Sequence, residues 1–106
     1  MTALTPITCI TIVAESVLES RLLGDLETAG ARGWTITAAR GHGPRGRRVS
    51  EMEGGNIRVE VLVSEAVAER IWQVLEDKYF PHYAIAAWSN EVGVVRAGRY
   101  TAFPTE

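Results

Sequence analysis

Residues 33–63 read GWTITAARGHGPRGRRVSEMEGGNIRVEVLV, two alternating segments around one with no apolar period. In the first, Trp34, Ile36 and Ala38 point one way, and Thr35 and Thr37 the other. In the second, Ile57, Val59, Val61 and Val63 oppose Arg58 and Glu60. Alternation with a period of two predicts a half-buried strand in each case. Two such strands in succession form a hairpin, which closes with two to five residues. Here the connection takes about fifteen, and a connection that long serves a function or lacks order. Residues 40–55 hold five glycines, a proline and four of the ten arginines of the chain.

The flanks complete the pattern. Upstream, ITCITIVA (residues 7–14) is short and β-branched, a strand. In SVLESRLLGDLETAG, Leu18, Leu22 and Leu26 lie at i, i+4 and i+8 on one helical face, and Gly30 is a stop signal. Ser16 with Glu19 predicts a capping box. Downstream, Ser64 is placed to cap a helix EAVAERIWQVLEDKYF. Its buried stripe is Ala68, Ile71, Trp72, Leu75 and Tyr79, and Pro81 ends it. YAIAAWSNEVGVV supplies a last strand, with a break expected near Ser89–Asn90. The order β-α-β-β-α-β predicts an α+β, ferredoxin-like fold, an antiparallel sheet with two helices on one face. Thr35, Thr37, Arg58, Glu60 and Leu62 then fall on the other face or its edge, a surface suited to an oligomer interface.

Composition narrows the function. The 106 residues fit a single domain, residues 1–106, with a mobile loop at about 42–55. A formal charge of −2 argues against general nucleic-acid binding, though not against a local basic site. Cys9 is the only cysteine, so no intrachain disulfide forms, and a reducing compartment is the simpler expectation. The segment MTALTPITCITIVAE has neither a basic leader nor a long apolar core, so a cytoplasmic protein is expected. Lys78 is the only lysine beside ten arginines. Arginine favours bidentate phosphate or carboxylate contacts, but a GC-rich genome produces the same bias.

No catalytic constellation is found. His42 and His82 are far apart and neither has a cysteine or carboxylate at metal spacing. There is no nucleophile elbow, HExxH or paired CxxC. Cys9 reads as a small buried hydrophobe, and Trp34, Trp72 and Trp88 as core or interface residues. Gly41 and Gly43 directly follow a strand, where glycine N–H groups can form an anion-binding nest. Taken alone, Gly-x-Gly also describes a flexible turn. Arg40, Arg45, Arg47 and Arg48, followed by Glu51 and Glu53, read either as a solvated loop or as phosphate or partner contacts. Arg96 and Arg99 in VVRAGRY read either as a solvated chain end or as phosphate clamps.

GARGWTITAARGHGPRG resembles the strand-two motif and loop opening of the PII signal-transduction proteins, and NIRVEVLVSEAVAERIWQVL resembles their third strand and second helix. The resemblance spans nearly the whole chain. It implies a compact homotrimer that binds adenine nucleotides in clefts between subunits and contacts transporters, enzymes or regulators through a long loop. Carried over by position, the implied nucleotide contacts are Thr35, Gly41, His42, Gly43, Arg45, Arg58, Leu62, Arg96 and Arg99. Leu62 would hold adenine through its backbone, and Arg47, Arg48 and Ser50 would lie on the partner-binding part of the loop. Two departures stand out. KYFPHYAIAAWS replaces the glycine- and lysine-rich second loop, and the modifiable loop tyrosine is missing. These features resemble the divergent PII-like branch, which includes proteins tied to bicarbonate transport and carboxysome gene clusters. That branch implies AMP, ADP or cyclic AMP as ligands, with ATP a further candidate and bicarbonate a second ligand. It implies no cofactor, no metal and no catalytic residue. The implied partner is a membrane transporter or a carboxysome component.

Three other readings share this topology. A dimeric α+β-barrel enzyme needs an acid–base pair in a cavity. A CutA-like metal-binding trimer needs a ligand cluster. An amino-acid-binding ACT module lacks a long loop between strands two and three.

Overall fold

The computed structural model describes residues 2–41 and 55–101. Strand β1 (Thr5–Glu15) runs into a 3-10 turn, Ser16–Leu18, and helix α1 (Glu19–Ala29). Strands β2 (Thr35–Ala39) and β3 (Asn56–Val63) follow, then helix α2 (Glu65–Val74), strand β4 (Ala86–Val94) and a short helix α3 (Gly98–Thr101). The four strands form one sheet in the order β2-β3-β1-β4, with every neighbour antiparallel. This is the ferredoxin-like α+β arrangement expected from the sequence.

Alternation decides the faces. Ile10, Ile12 and Ala14 of β1 and Ile57, Val59, Val61 and Val63 of β3 pack against Leu18, Leu22 and Leu26 on one helix and Ala68, Ile71, Leu75 and Tyr79 on the other. Burying each of the larger aliphatic side chains contributes about 1.5–3 kcal/mol, so this layer is the main source of stability. Trp34, Ile36 and Trp72 pack against it half-buried. Gly30 ends α1 in the left-handed region at φ 118°, and a Cβ there would lie 3.0 Å from Val67 Cγ2. Only glycine suits both the backbone and the close approach of the two helices. Arg70 Nε donates to the Ala29 carbonyl at 2.8 Å, a second tie across the same junction.

Three local expectations meet different outcomes. Ser64 caps α2 as expected, its Oγ accepting from Val67 N–H at 3.3 Å. The capping box at Ser16 does not form. Residues Ser16–Leu18 make a 3-10 turn with no side-chain cap at either end, and Ser16 N–H donates instead to the Gly55 carbonyl at 2.9 Å. The expected break near Ser89–Asn90 is absent, because those residues pair in unbroken register with Ile10 and Cys9. Helix α2 ends in a π turn, Leu75–Tyr79, closed by Phe80 N–H on the Leu75 carbonyl at 2.8 Å. Among the described residues no helix is long and apolar enough to cross a membrane.

Candidate functional site

The sheet face away from the helices carries Thr35, Arg58 and Leu62, three of the residues singled out from sequence. Register places Thr35, Glu60, Thr11 and Trp88 in one row across all four strands. Thr37, Arg58, Val13 and Ala86 form the next row, toward the end where β2 passes into residues 40–55. Leu62, Cys9 and Asn90 form a row on the other side. Thr35 thus lies opposite Glu60, with Arg58 and Leu62 two residues to either side along β3. Three of the implied nucleotide contacts, Thr35, Arg58 and Leu62, therefore share one patch at one edge of the sheet.

Glu60 organises this patch. Arg58 Nη2 donates to its Oε2 at 3.1 Å, and Thr11 Oγ1 donates to the same oxygen at a longer 3.4 Å. Arg58 and Glu60 are well exposed, so their ion pair contributes little stability and can be exchanged for another anion at small cost. The sequence reading named Glu60 only as a polar face position. Its signal was the alternation itself, which set it beside Thr35. Cys9 is buried on the same face, and its thiol pKa is pushed up by burial and by the Glu60 charge. That shift disfavours the thiolate and suits a packing role.

The edge of the patch is open. β2 pairs with β3 only from Thr35–Glu60 to Ala39–Asn56, so among the described residues no strand pairs with Val61–Val63 on that side. Backbone groups there can read the donor and acceptor edge of a planar ligand. At the other end of the β2–β3 pair, Asn56 is buried on the same face and its Oδ1 has no hydrogen-bond partner among the described residues. Gly41 lies two residues past β2, exposed, with no atom of the described residues within 4 Å of where a Cβ would stand. His42, Gly43, Arg45, Arg47, Arg48 and Ser50 lie outside the described residues, as does the mobile loop expected at about 42–55.

Arg96 and Arg99 follow β4 at the end of the sheet opposite Gly41. Helix α3, which holds Arg99, lies against β3 at that end, with Thr101 lining one pocket together with Val63 and Ser64. Val94 pairs with Thr5, whereas Ala39 shares a row with Asn56 and Glu15, ten residues further along β1. That spacing corresponds to about 30 Å of strand. Within one chain, Gly41 and Arg96 therefore cannot grip one nucleotide.

A second cluster escaped the sequence reading. Tyr79, fully buried, donates its hydroxyl to Asp25 Oδ2 at 2.6 Å, and Lys78 Nζ lies 3.9 Å from Asp25 Oδ1. Burial and that hydrogen bond push the Tyr79 pKa well above its ordinary value. Arg21 Nη1 donates to the Tyr83 hydroxyl at 2.7 Å, and its guanidinium lies 5.8 Å from the centroids of both tyrosine rings. The pairing joins residues more than fifty positions apart, so no local spacing announced it. His82, read from sequence as a loop residue, lies edge-on to Tyr83. Among the described residues no three His, Cys, Asp or Glu side chains converge to hold a metal.

Residues 7–99 match the family model of nitrogen regulatory protein P-II. The chain belongs to this family of regulatory proteins. A solved PII-like signalling protein of Thermus thermophilus is 50% identical, with a TM-score of 0.79, over 92% of this chain and 98% of that one. CPII of Thiomonas intermedia, a nitrogen regulatory PII-like protein solved with ADP, AMP and bicarbonate, shares the fold at a TM-score of 0.85. It is 19% identical, over 95% of this chain and 99% of CPII. A second CPII structure, with ADP and bicarbonate, is 17% identical with a TM-score of 0.85, over 94% and 99% of the two chains. No match is found among curated proteins.

Proposed function

We propose that this protein is a non-enzymatic cytoplasmic regulator that binds ADP or AMP in clefts between the subunits of a homotrimer. Bicarbonate is the second ligand. The 40–55 segment carries the signal to a protein partner, a bicarbonate transporter or a carboxysome component. The observation that carries this reading is the separation of the implied contacts. Gly41 leaves one end of the sheet, while Arg96 and Arg99 follow the strand end about 30 Å away in the same chain. A site that joins Gly41 to such arginines needs the loop end of one copy beside the arginines of another, which a closed ring of copies supplies.

In this arrangement adenine lies along the unpaired edge of β3 near Thr35 and Leu62. The phosphates run toward Gly41, whose exposed backbone allows close approach. The arginines of the neighbouring copy supply charge-assisted hydrogen bonds. Arg58 can exchange Glu60 for an anion, so ligand charge would be felt where β3 joins the 40–55 segment. The ligands found in CPII support the choice of ADP, AMP and bicarbonate.

A thermal-shift screen with AMP, ADP, ATP, cyclic AMP and bicarbonate tests the reading. A ligand bound only by the folded state raises the melting temperature with concentration. ADP or AMP should give the larger shift, increased by bicarbonate. No shift with any nucleotide at millimolar concentration would refute it.

A further inference from the structure

We propose that the 3-10 turn Ser16–Leu18 and the first two turns of α1 form a strut that couples the turn at residues 80–85 to the root of the 40–55 segment. The proposal rests on contacts within one chain and does not depend on which ligand binds.

At one end of the strut, Ser16 N–H donates to the Gly55 carbonyl at 2.9 Å. Neither Glu15 nor Leu18 makes a side-chain cap, so the start of this segment is held from outside, by the residue just ahead of β3. An uncapped helix start leaves N–H groups without internal partners, and an external carbonyl that supplies one fixes where the segment sits. Leu18, buried in the core, anchors the turn from below.

At the other end, Arg21 and Asp25 hold the two tyrosines. Asp25 accepts from Tyr79 at 2.6 Å, and Arg21 donates to Tyr83 at 2.7 Å. The His82 and Tyr83 amides both donate to the Tyr79 carbonyl, at 3.0 and 2.9 Å, so the direction of the 80–85 turn is set by Tyr79. Tyr79 itself is the last residue of the π turn. A single π turn is a rare, alternative winding of a helix and is frequent at functional sites. Moving the 80–85 turn therefore pulls on Arg21 and Asp25, and through about one and a half to two and a half helical turns on Ser16 and Gly55. β1 ends and β4 begins at this same end of the sheet, so both ends of the strut flank the same surface.

Amide hydrogen exchange reads the coupling directly. The His82 and Tyr83 amides report on the turn, the Ser16 amide on the segment root, and the Ile12 and Val59 amides on the sheet. Tyr83→Phe removes the acceptor of Arg21 and keeps the ring. It should speed exchange at His82 and Tyr83 by about tenfold and at Ser16 by about threefold, leaving Ile12 and Val59 unchanged, as expected for local opening. Ser16→Pro tests the reverse direction. Glu15 already has the extended backbone (φ −66°, ψ 141°) that a following proline requires, and coupling free energies are reciprocal. It should speed exchange at His82 and Tyr83 by a similar factor to that seen at Ser16. If Tyr83→Phe folds poorly, Arg21→Leu replaces it. The strut is overturned if Ser16 stays at its wild-type rate while the turn loosens, if neither end responds, or if all five amides accelerate by one common factor.

Discussion

Trp88 lies directly across the β1–β4 ladder from Thr11, and the two differ sharply in exposure, 46% against 1%. The central strand is thus already dry on the face that has no helices, while the large ring beside it is half in water. A half-exposed tryptophan flanking a buried strand is a strong anchor for a contact between copies. Trp88→Asp should convert the expected trimer to monomers at micromolar concentration, measured by light scattering, with the circular dichroism of the fold kept. A variant that remains three times the chain mass would show that this face is not the interface.

Arg96→Ala and Arg47→Ala test the proposed division between nucleotide contact and partner contact. Arg96→Ala should weaken ADP binding by about 1.5–3 kcal/mol, the size of a lost charge-assisted hydrogen bond. Binding of adenosine, which lacks phosphate, should change much less. Arg47→Ala should leave ADP affinity close to wild type. Calorimetric titration of ADP and adenosine into both variants checks the pair. Equal small effects on ADP would return Arg96 to a solvated chain end.

Tyr79 gives a signature at alkaline pH. Its folded pKa is raised by burial and by the hydrogen bond to Asp25, while the unfolded tyrosine ionises near its ordinary value of about 10. Below that value both states keep the proton and the contribution to stability is complete. Above it the unfolded state loses the proton first, so stability falls as pH rises. Urea denaturation of wild type and Tyr79→Phe at pH 8 and pH 11 should show a steeper loss for wild type. Parallel losses would mean that the hydroxyl is not held as described.

Asn56 should respond in the opposite sense to most core substitutions. Its Oδ1 is buried without a partner among the described residues, and an unpartnered buried oxygen costs about 1–3 kcal/mol. Asn56→Val keeps a strand-forming residue and removes the orphaned oxygen. The variant should be more stable by about 1 kcal/mol in thermal or urea melts. A destabilised variant would mean that the amide has a partner in the assembled protein.

The alternation of residues 34–38 and 57–63 was enough to place both strands and their faces, because a period of two admits only one orientation once a helix layer covers the apolar side. The helical stripes were equally readable. The capping box failed for a tertiary reason, since the Gly55 carbonyl, distant in sequence, takes the N–H of Ser16. The break predicted near Ser89–Asn90 followed local polarity, which an edge strand tolerates because that side faces water. Of the candidate site, Thr35, Arg58 and Leu62 were legible through the strand pattern and the family resemblance. Glu60 as their organiser and the Tyr79–Asp25 pair were not, because both depend on which elements meet in space.

The pairing of Ala39 with Asn56 closes the hairpin before the long connection begins. The strands therefore owe nothing to the chemistry of what is threaded between them, and lengthening such a connection costs only about 0.6 kcal/mol per doubling. Selection can rewrite the connection to suit a new target while the sheet keeps its fold, and insertions, deletions and charge reversals there are cheap experiments. The same independence suits the hairpin to biosensor construction. A circularly permuted fluorescent domain spliced between Ala39 and Asn56 would inherit the scaffold's input and report it as light.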